Sequence, residues 1–358
     1  MSELEAYIRE IEKDVNNYED TRWGLIGLSH ELRWDSNSRT LIEGSDYRIA
    51  RRLTTSVNNR INPQTDVTPD LLVQLDPKFG VLAEAKISLP VNREYWGEML
   101  EQLEKYDDDL LGWLTSDERV DRNDLVLLIH TFSAVDAADY IKEKIEGGDI
   151  ILDRNFSVIE FSNIERRDHF LRLRKVYGEL SDGNKDSDLH RGKNIPMLLL
   201  MKEPDYRRIR LYEKEPPEPI MMQIVMETIH GIPREEDYMV ARTNGLHEVE
   251  VVGTELCERI RKEDFSGYSQ EERQPTIPKI DWVRGALENF VRLNWARRDK
   301  KVPGKYIFEI KQRRKPFKQF VRLWAEKRVR AEEHKKKEER KSKTEQIPLF
   351  KGQIVSTG

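Results

Sequence analysis

The sequence predicts an α/β layer domain followed by a mainly helical, basic C-terminal domain. From residue 45 the patterns run helix, two strands, helix, strand, helix, strand, the order of a mixed sheet with helices on its faces. "DLVLLIHTF" (124–132) is a continuous apolar run, as a strand buried on both faces requires. The last third is basic. Arg297 to Glu345 holds twenty Lys/Arg and eight Asp/Glu, a net of +12 in a chain whose net charge is −5, so the remainder carries −17.

Taken in order, residues 1–20 read as one helix with Leu4, Tyr7, Ile8 and Ile11 on its apolar face, and Arg22–Arg33 as a second. A third helix is expected over Ser45–Asn58, with a stripe of Tyr47, Ile49, Ala50, Leu53 and Val57. The turn-rich "NRINPQTDVTPD" leads to two strands, Leu71–Leu75 and Val81–Ile87, joined by the short loop "DPKFG". Residues 92–113 form an amphipathic helix with Trp96, Met99, Leu100, Leu103, Tyr106 and Leu110 inward. After the strand at 124–132, "AADYIKEKIEG" is a helix ending in glycine, and "FSVIEFS" (156–162) is another strand. "SDGNKDSDLHRGKN" (181–194) reads as a polar loop and "IPMLLLM" as a strand. The prolines of "EKEPPEPI" suggest a linker, and "GTELCERIRKED" and "DWVRGALENFVRLNWARR" read as helices before the strand or hairpin "VPGKYIFEIKQ". The expected domains are 1–21, an N-terminal helix; 22–205, the α/β domain; 206–325, the helical domain; and 326–358, a charged helix and tail.

Composition limits the classes of function. No stretch of eighteen apolar residues exists, so no membrane helix is expected. A single cysteine, Cys257, excludes a Cys-based zinc site and an internal disulfide, which fits a reducing cytoplasm. A basic third on an acidic body suggests either a polyanionic partner, with nucleic acid first in line, or a solvated helix followed by a disordered tail.

The strand at 81–87 raises a physical problem. Alternate residues share a face, so Val81, Ala83, Ala85 and Ile87 point one way and Leu82, Glu84 and Lys86 the other. Burying a carboxylate and an ammonium without partners costs several kcal/mol. Such a face either opens to water, as an ordinary cross-strand ion pair, or holds a ligand. Asp70, after Pro69, starts the preceding strand, so the hairpin can bring it near Glu84. Two carboxylates and a backbone carbonyl, that of Ala85, make an oxygen-only set suited to Mg²⁺, with Mn²⁺ able to replace it. Lys86 on the same face can orient a water and stabilise charge on a phosphate.

"PD" at 69–70 and "EAK" at 84–86 resemble the PD-(D/E)XK nuclease superfamily over roughly residues 22–165. The resemblance implies a restriction-endonuclease-like mixed sheet flanked by helices. It also implies metal ligation by Asp70 and Glu84 and a catalytic lysine at Lys86. Gln102 and Tyr106 lie four apart on the next helix, on one face with Tyr95 and Met99, and resemble the Q-x-x-x-Y motif of RecB-like nucleases, whose residues support the site and contact DNA. Gly27 followed by His30 and Glu31 resembles the upstream motif, with Glu31 as a third metal carboxylate. Many family members act as dimers, so a homodimer is a further expectation. The implied activity is metal-dependent hydrolysis of DNA in repair, restriction or phage defence, in the cytoplasm and associated with the nucleoid. The alternatives are a catalytically inactive DNA-binding scaffold and an RNA nuclease.

In the basic third, two helices followed by a short basic strand pair resemble a winged-helix domain, with Arg297, Arg298, Lys300, Lys301, Arg313 and Arg314 as phosphate contacts. Near the end, "QIPLF" resembles the peptide that binds the bacterial sliding clamp. Gln346 would fill a polar pocket, and Leu349 and Phe350 an apolar one.

Overall fold

No glycine precedes Gly24 and no proline precedes Pro63, so nothing breaks a helix early in the chain. Accordingly α1 (Glu3–Arg33) is one helix where two were expected, and Thr21 Oγ1 bonds back to the Asn17 carbonyl, 2.8 Å away, at the anticipated break. The structure, a computed structural model, describes residues 3–49, 53–55, 66–90, 92–114, 120–164, 169–202, 210–212, 215–232, 241–243, 246–264, 277–310, 321–330 and 333–334. Two compact units emerge. One comprises Asn16–Pro216 and Cys257–Ile280, the other Met1–Val15, Pro217–Leu256 and Asp281–Gly358.

The first unit is built on a curled, mixed seven-stranded sheet flanked by helices. Its strands are β1 (Asp46–Ile49), β2 (Leu71–Asp76), β3 (Phe79–Lys86), β4 (Arg122–His130), β5 (Phe156–Ile164), β6 (Phe170–Gly178) and β7 (Lys193–Pro196). They lie side by side in chain order. The pairs β3–β4 and β4–β5 are parallel and the other four antiparallel. The two parallel steps need crossovers, supplied by α2 (Gly97–Tyr106) and α3 (Thr131–Glu146). Successive crossovers of one hand in one direction place both helices on one face of the sheet. Leu72, Leu82, Leu125 and Leu127 meet them there, with Met99, Leu103, Ala134 and Ile141 in the same core. The opposite face presents Val73, Val81, Ala83 and Leu173 to Leu25, Leu28 and Leu32 of α1. This helix lies close because Gly27 is bare, since a Cβ there would fall 1.9 Å from Leu171 Cδ2.

Several elements differ from expectation. The helix anticipated over 45–58 is instead β1 and a short strand, Leu53–Thr55. Tyr47 and Ile49 are two apart and both buried, so the stripe satisfied a period of two once pairing with β2 was available. The helix over 92–113 is confined to a 3₁₀ turn, Arg93–Trp96, and α2, and Leu110–Leu111 pairs as a strand. The polar segment 181–194 holds α4 (Gly183–Arg191), capped by the Asp182 side chain through the amides of Asn184 and Lys185, and the start of β7. "IPMLLLM" splits between the end of β7 and one helical turn, α5 (Met197–Leu200). Strand β6, not anticipated, carries a clear alternation of its own: Leu171 and Leu173 are buried, and Arg172 and Arg174 point outward.

The second unit contains α6 (Glu218–Gly231), β8 (Ala241–Thr243), β9 (Leu246–Val252), the start of α7 (Gly253–Asp264), α8 (Ile280–Arg292) from Asp281 onward, β10 (Ala296–Arg298) and β11 (Lys305–Ile310). Its four strands are ordered β8-β9-β11-β10, all antiparallel. Helix α8 buries Val283, Ala286, Leu287 and Phe290, and the Phe290 ring meets Phe308 of β11 edge to face at 5.3 Å. Residues 321–330 are helical, within the charged helix expected there. Among the described residues, no helix is long and apolar enough to cross a membrane.

Gly80 of β3 tests the packing of the sheet against its loops. A Cβ there would sit 2.1 Å from the Trp113 ring, which is fully buried and bonds through Nε1 to the Leu110 carbonyl. Gly80→Ala is expected to destabilise the protein by about 1–3 kcal/mol through overpacking, read as a lowered urea midpoint at unchanged slope.

Candidate functional site

The last pair between β2 and β3 is Leu71 with Ala83. One step further along the same antiparallel register sets Asp70 opposite Glu84, and partners across a pair share a face. The contacts agree. Asp70 Oδ2 accepts from the Ala85 amide at 2.7 Å, next in the chain to Glu84. Glu84 is only 1 % exposed, so its charge has to be met within the protein. Lys86 Nζ stands 2.5 Å from Glu84 Oε1, and Tyr106 Oη donates to Oε2 at 2.9 Å. Gln102 Nε2 in turn donates to Tyr106 Oη at 2.8 Å, and the Thr68 carbonyl lies 3.2 Å from the same oxygen.

Sequence-predicted residues Asp70, Glu84, Lys86, Gln102 and Tyr106 therefore meet at the end of the β2–β3 hairpin, under α2. The four-residue spacing puts Gln102 directly behind Tyr106 on the helix, one turn earlier. Tyr106 keeps its proton: burial, then the Glu84 charge, its hydrogen bond and the Asp70 charge push its phenol far above the ordinary range. It is thus a permanent donor to Glu84. That both carboxylates act on Tyr106 is an independent sign that they converge. The Thr68 carbonyl had no sequence signal, because a backbone acceptor carries none.

Glu31 is not brought to this cluster. It lies on α1, and Lys185 of α4 donates to its main-chain carbonyl at 2.6 Å. Its side chain is buried, Oε1 makes no hydrogen bond, and Lys193 Nζ is 3.7 Å away. Among the described residues, no three His, Cys, Asp or Glu side chains form a metal-holding group, so Glu31 does not complete a triad with Asp70 and Glu84. The signal that suggested it, a glycine four residues earlier, is explained by the packing of Gly27 on Leu171. His30 stacks on Trp34 at 5.3 Å.

The donor set still suits a hard cation. Asp70, Glu84 and the Ala85 carbonyl offer oxygen alone. Mg²⁺ commonly takes one or two carboxylates and fills its remaining positions with water and phosphate. A carboxylate has about four lone-pair sites, and Lys86 and Tyr106 account for two of those on Glu84.

The predicted basic contacts fare differently. Arg297 is 3.3 Å from Glu248, and Arg298 is bound by Glu288, its Nε 3.1 Å from Oε1. Tyr306 also donates to Glu288, at 2.7 Å. The Arg298 hydrogen bond holds the Glu288 carboxyl below its ordinary range. Lys300 and Lys301 are exposed on the turn between β10 and β11, where Asp299 accepts from the Lys301 amide at 2.7 Å. Arg313, Arg314, Gln346, Leu349 and Phe350 lie outside the described residues.

No protein-family model, curated protein or solved structure matches the chain.

Burial raises the Glu31 carboxyl above its ordinary range, with Lys185 and Lys193 opposing. The folded protein then holds a proton that the unfolded chain has already released. Stability is full below the unfolded pKa and is lost as pH rises through the folded one. Glu31→Gln is therefore expected to be more stable than wild type at neutral pH, with the gap closing toward acid, as read from urea midpoints across pH.

Proposed function

We propose that the chain is a metal-dependent nuclease of the PD-(D/E)XK type, acting on DNA phosphodiester bonds. The observation that carries this reading is the hydrogen-bonded chain from Gln102 through Tyr106 to Glu84 and Lys86, with Asp70 on the adjacent amide. A surface ion pair has no need of a buried tyrosine and a half-buried glutamine behind it. Positioning of a reactive carboxylate does.

Asp70, Glu84 and the Ala85 carbonyl would hold Mg²⁺ or Mn²⁺. Bound there, the ion would polarise the phosphoryl group and lower the pKa of a water ligand. Lys86 is the exposed member, its side chain 26 % accessible against 0 % for Glu84. It can therefore reach a phosphate or the attacking water while its ion pair keeps it oriented. Tyr106, always protonated, prevents Glu84 from turning, and Gln102 prevents Tyr106 from turning.

The order α6, β8, β9, the start of α7, α8, β10, β11, with β9, β11 and β10 adjacent, supports a winged-helix reading of the second unit. On that reading the β10–β11 turn carries Lys300 and Lys301 to a phosphate backbone. A clamp contact through Gln346, Leu349 and Phe350 remains part of the proposal, as does a homodimer. The second reading, a binding scaffold without catalysis, draws on the Lys86–Glu84 ion pair, which meets the Glu84 charge without a metal ion. Calorimetry separates the two: Mn²⁺ uptake that vanishes in Asp70→Ala favours the nuclease.

The decisive measurement is cleavage of linear, circular, single-stranded and branched DNA, and of RNA, with Mg²⁺ or Mn²⁺. Lys86→Ala and Asp70→Ala should abolish cutting while unfolding cooperatively. Tyr106→Phe should lose about 10–100-fold, the usual effect of removing a hydrogen bond behind a ligand. Wild type that leaves every substrate intact would sink the enzyme reading.

A further inference from the structure

Strand register carries a polar surface sideways from the candidate site. Lys86 pairs with Ile129 of β4, Ile129 with Glu160 of β5, and Glu160 with Arg174 of β6, so all four share the face that carries Glu84. Two residues further along, Ser162 of β5, Arg172 of β6 and Asn194 of β7 pair as a second row on that face. Neighbouring strands are about 4.8 Å apart, so Arg174 stands roughly 14 Å from Lys86.

These two rows are rich in donors and poor in acceptors. Glu160 is buried and accepts from Arg174 Nε at 2.7 Å and from Thr131 Oγ1 at 3.2 Å. That bond orients the Arg174 guanidinium while using one of its five N–H donors, and the side chain stays 42 % accessible. Arg172 and Asn194 are exposed and Ser162 is half-buried, and among the described residues no carboxylate pairs with Arg172. The two arginines lie side by side. A Cβ at Gly192 would be 3.8 Å from Arg174 Cγ and 3.9 Å from Arg172 Nη2, so both side chains pass the same bare stretch of backbone. Helix α3 adds to this end of the sheet. It starts at Thr131, which bonds Glu160, and it has no side-chain cap and no acidic residue in its first turn. Its first amides therefore carry the positive end of the helix dipole uncompensated.

We propose that Arg172 and Arg174, with Ser162 and Asn194 beside them, form a subsite for a phosphate of the bound DNA other than the one at Lys86. Guanidinium forks match the oxygens of a phosphate, and the only carboxylate in the rows, Glu160, is already satisfied by Arg174 and Thr131. The inference rests on the nuclease reading and deepens it. A phosphate held at Arg172 and Arg174 lays the DNA along the sheet end, in the direction from β6 to β3, with Lys86 facing the bond to be cut. The phosphate is either a backbone diester or a terminal monoester, and the test separates them.

The experiment is fluorescence anisotropy of a labelled duplex with the full chain, in EDTA so that nothing is cut, over a range of salt. The duplex is prepared with hydroxyl ends and with phosphate ends. Arg172→Gln should weaken binding and lower the log–log salt slope by about 0.9, one phosphate contact on a duplex. Arg174→Lys keeps a cation for Glu160 but loses the free end of the guanidinium, so it should weaken binding with the slope unchanged. Lys142→Gln removes an exposed charge of α3, 3.8 Å from Glu146, and should change neither quantity. Equal losses on both duplexes assign the subsite to a backbone diester. Losses confined to phosphate ends assign it to a terminal monoester. The proposal is overturned if wild type binds neither duplex, or if Arg172→Gln and Arg174→Lys bind as wild type does. It is also overturned if Lys142→Gln lowers the slope as much as Arg172→Gln. Cleavage by wild type with unaltered binding in the arginine variants removes the subsite and leaves the nuclease. Arg172-dependent binding without any cleavage removes the nuclease and leaves the phosphate subsite.

Discussion

A carboxylate buried at the end of a sheet strand has to be met by donors, and donors of different kinds meet Glu84. Lys86 supplies charge from two residues away on the same strand, and Tyr106 supplies a neutral hydrogen bond from α2. The second donor constrains far more than the first. For Tyr106 to reach Glu84, α2 must cross β3 at a set height and rotation. Leu103, Met99 and Leu100 then fall onto Leu72 and Leu82. The polar contact and the apolar core are thus satisfied by one placement of one helix, with Gln102 on the same side as a brace.

The two faces of the sheet divide the labour. Small residues on β3, Val81, Ala83 and Ala85, accept α1 closely on one face, aided by Gly27. On the other face the row ends in charge. Because β3, β4 and β5 are parallel, their C-terminal ends lie together and form one edge of the sheet, toward which Lys86 and Glu160 share this face. Ligand sites of open α/β sheets commonly lie at such an edge, since side chains there can point out of the core without leaving a buried charge unpaired.

The buried basic–acidic group around Glu31 shows how similar chemistry can serve packing alone. Lys185 reaches from α4 to carbonyls of Glu31 and Trp34 at the end of α1, where a cation favours the helix dipole. The Glu31 carboxyl is carried into that environment and pushed up by burial. A carboxylate on the first core helix is therefore no guide by itself to a metal ligand. What separates Glu84 from Glu31 is that both oxygens of Glu84 receive a hydrogen bond, whereas one oxygen of Glu31 receives none.

Much of this was legible in the chain. The alternation in "VLAEAKI" divides the strand into a packing face and a polar face, and the four-residue spacing of Gln102 and Tyr106 puts them on one side of a helix. Period and spacing are local, so the sequence by itself determines them. Other features depended on neighbours far away in the chain. Tyr47 and Ile49 fit a helix or a strand equally, and the free edge of β2 decided for β1. "SDGNKDSDLHRG" looks like a loop until Asp182 caps it and Leu189 finds a core. Only the tertiary structure joined Glu84 to Tyr106, 22 residues on, and aligned Lys86 with Glu160 and Arg174 across three more strands. Register is settled by pairing between strands, and no single strand contains it.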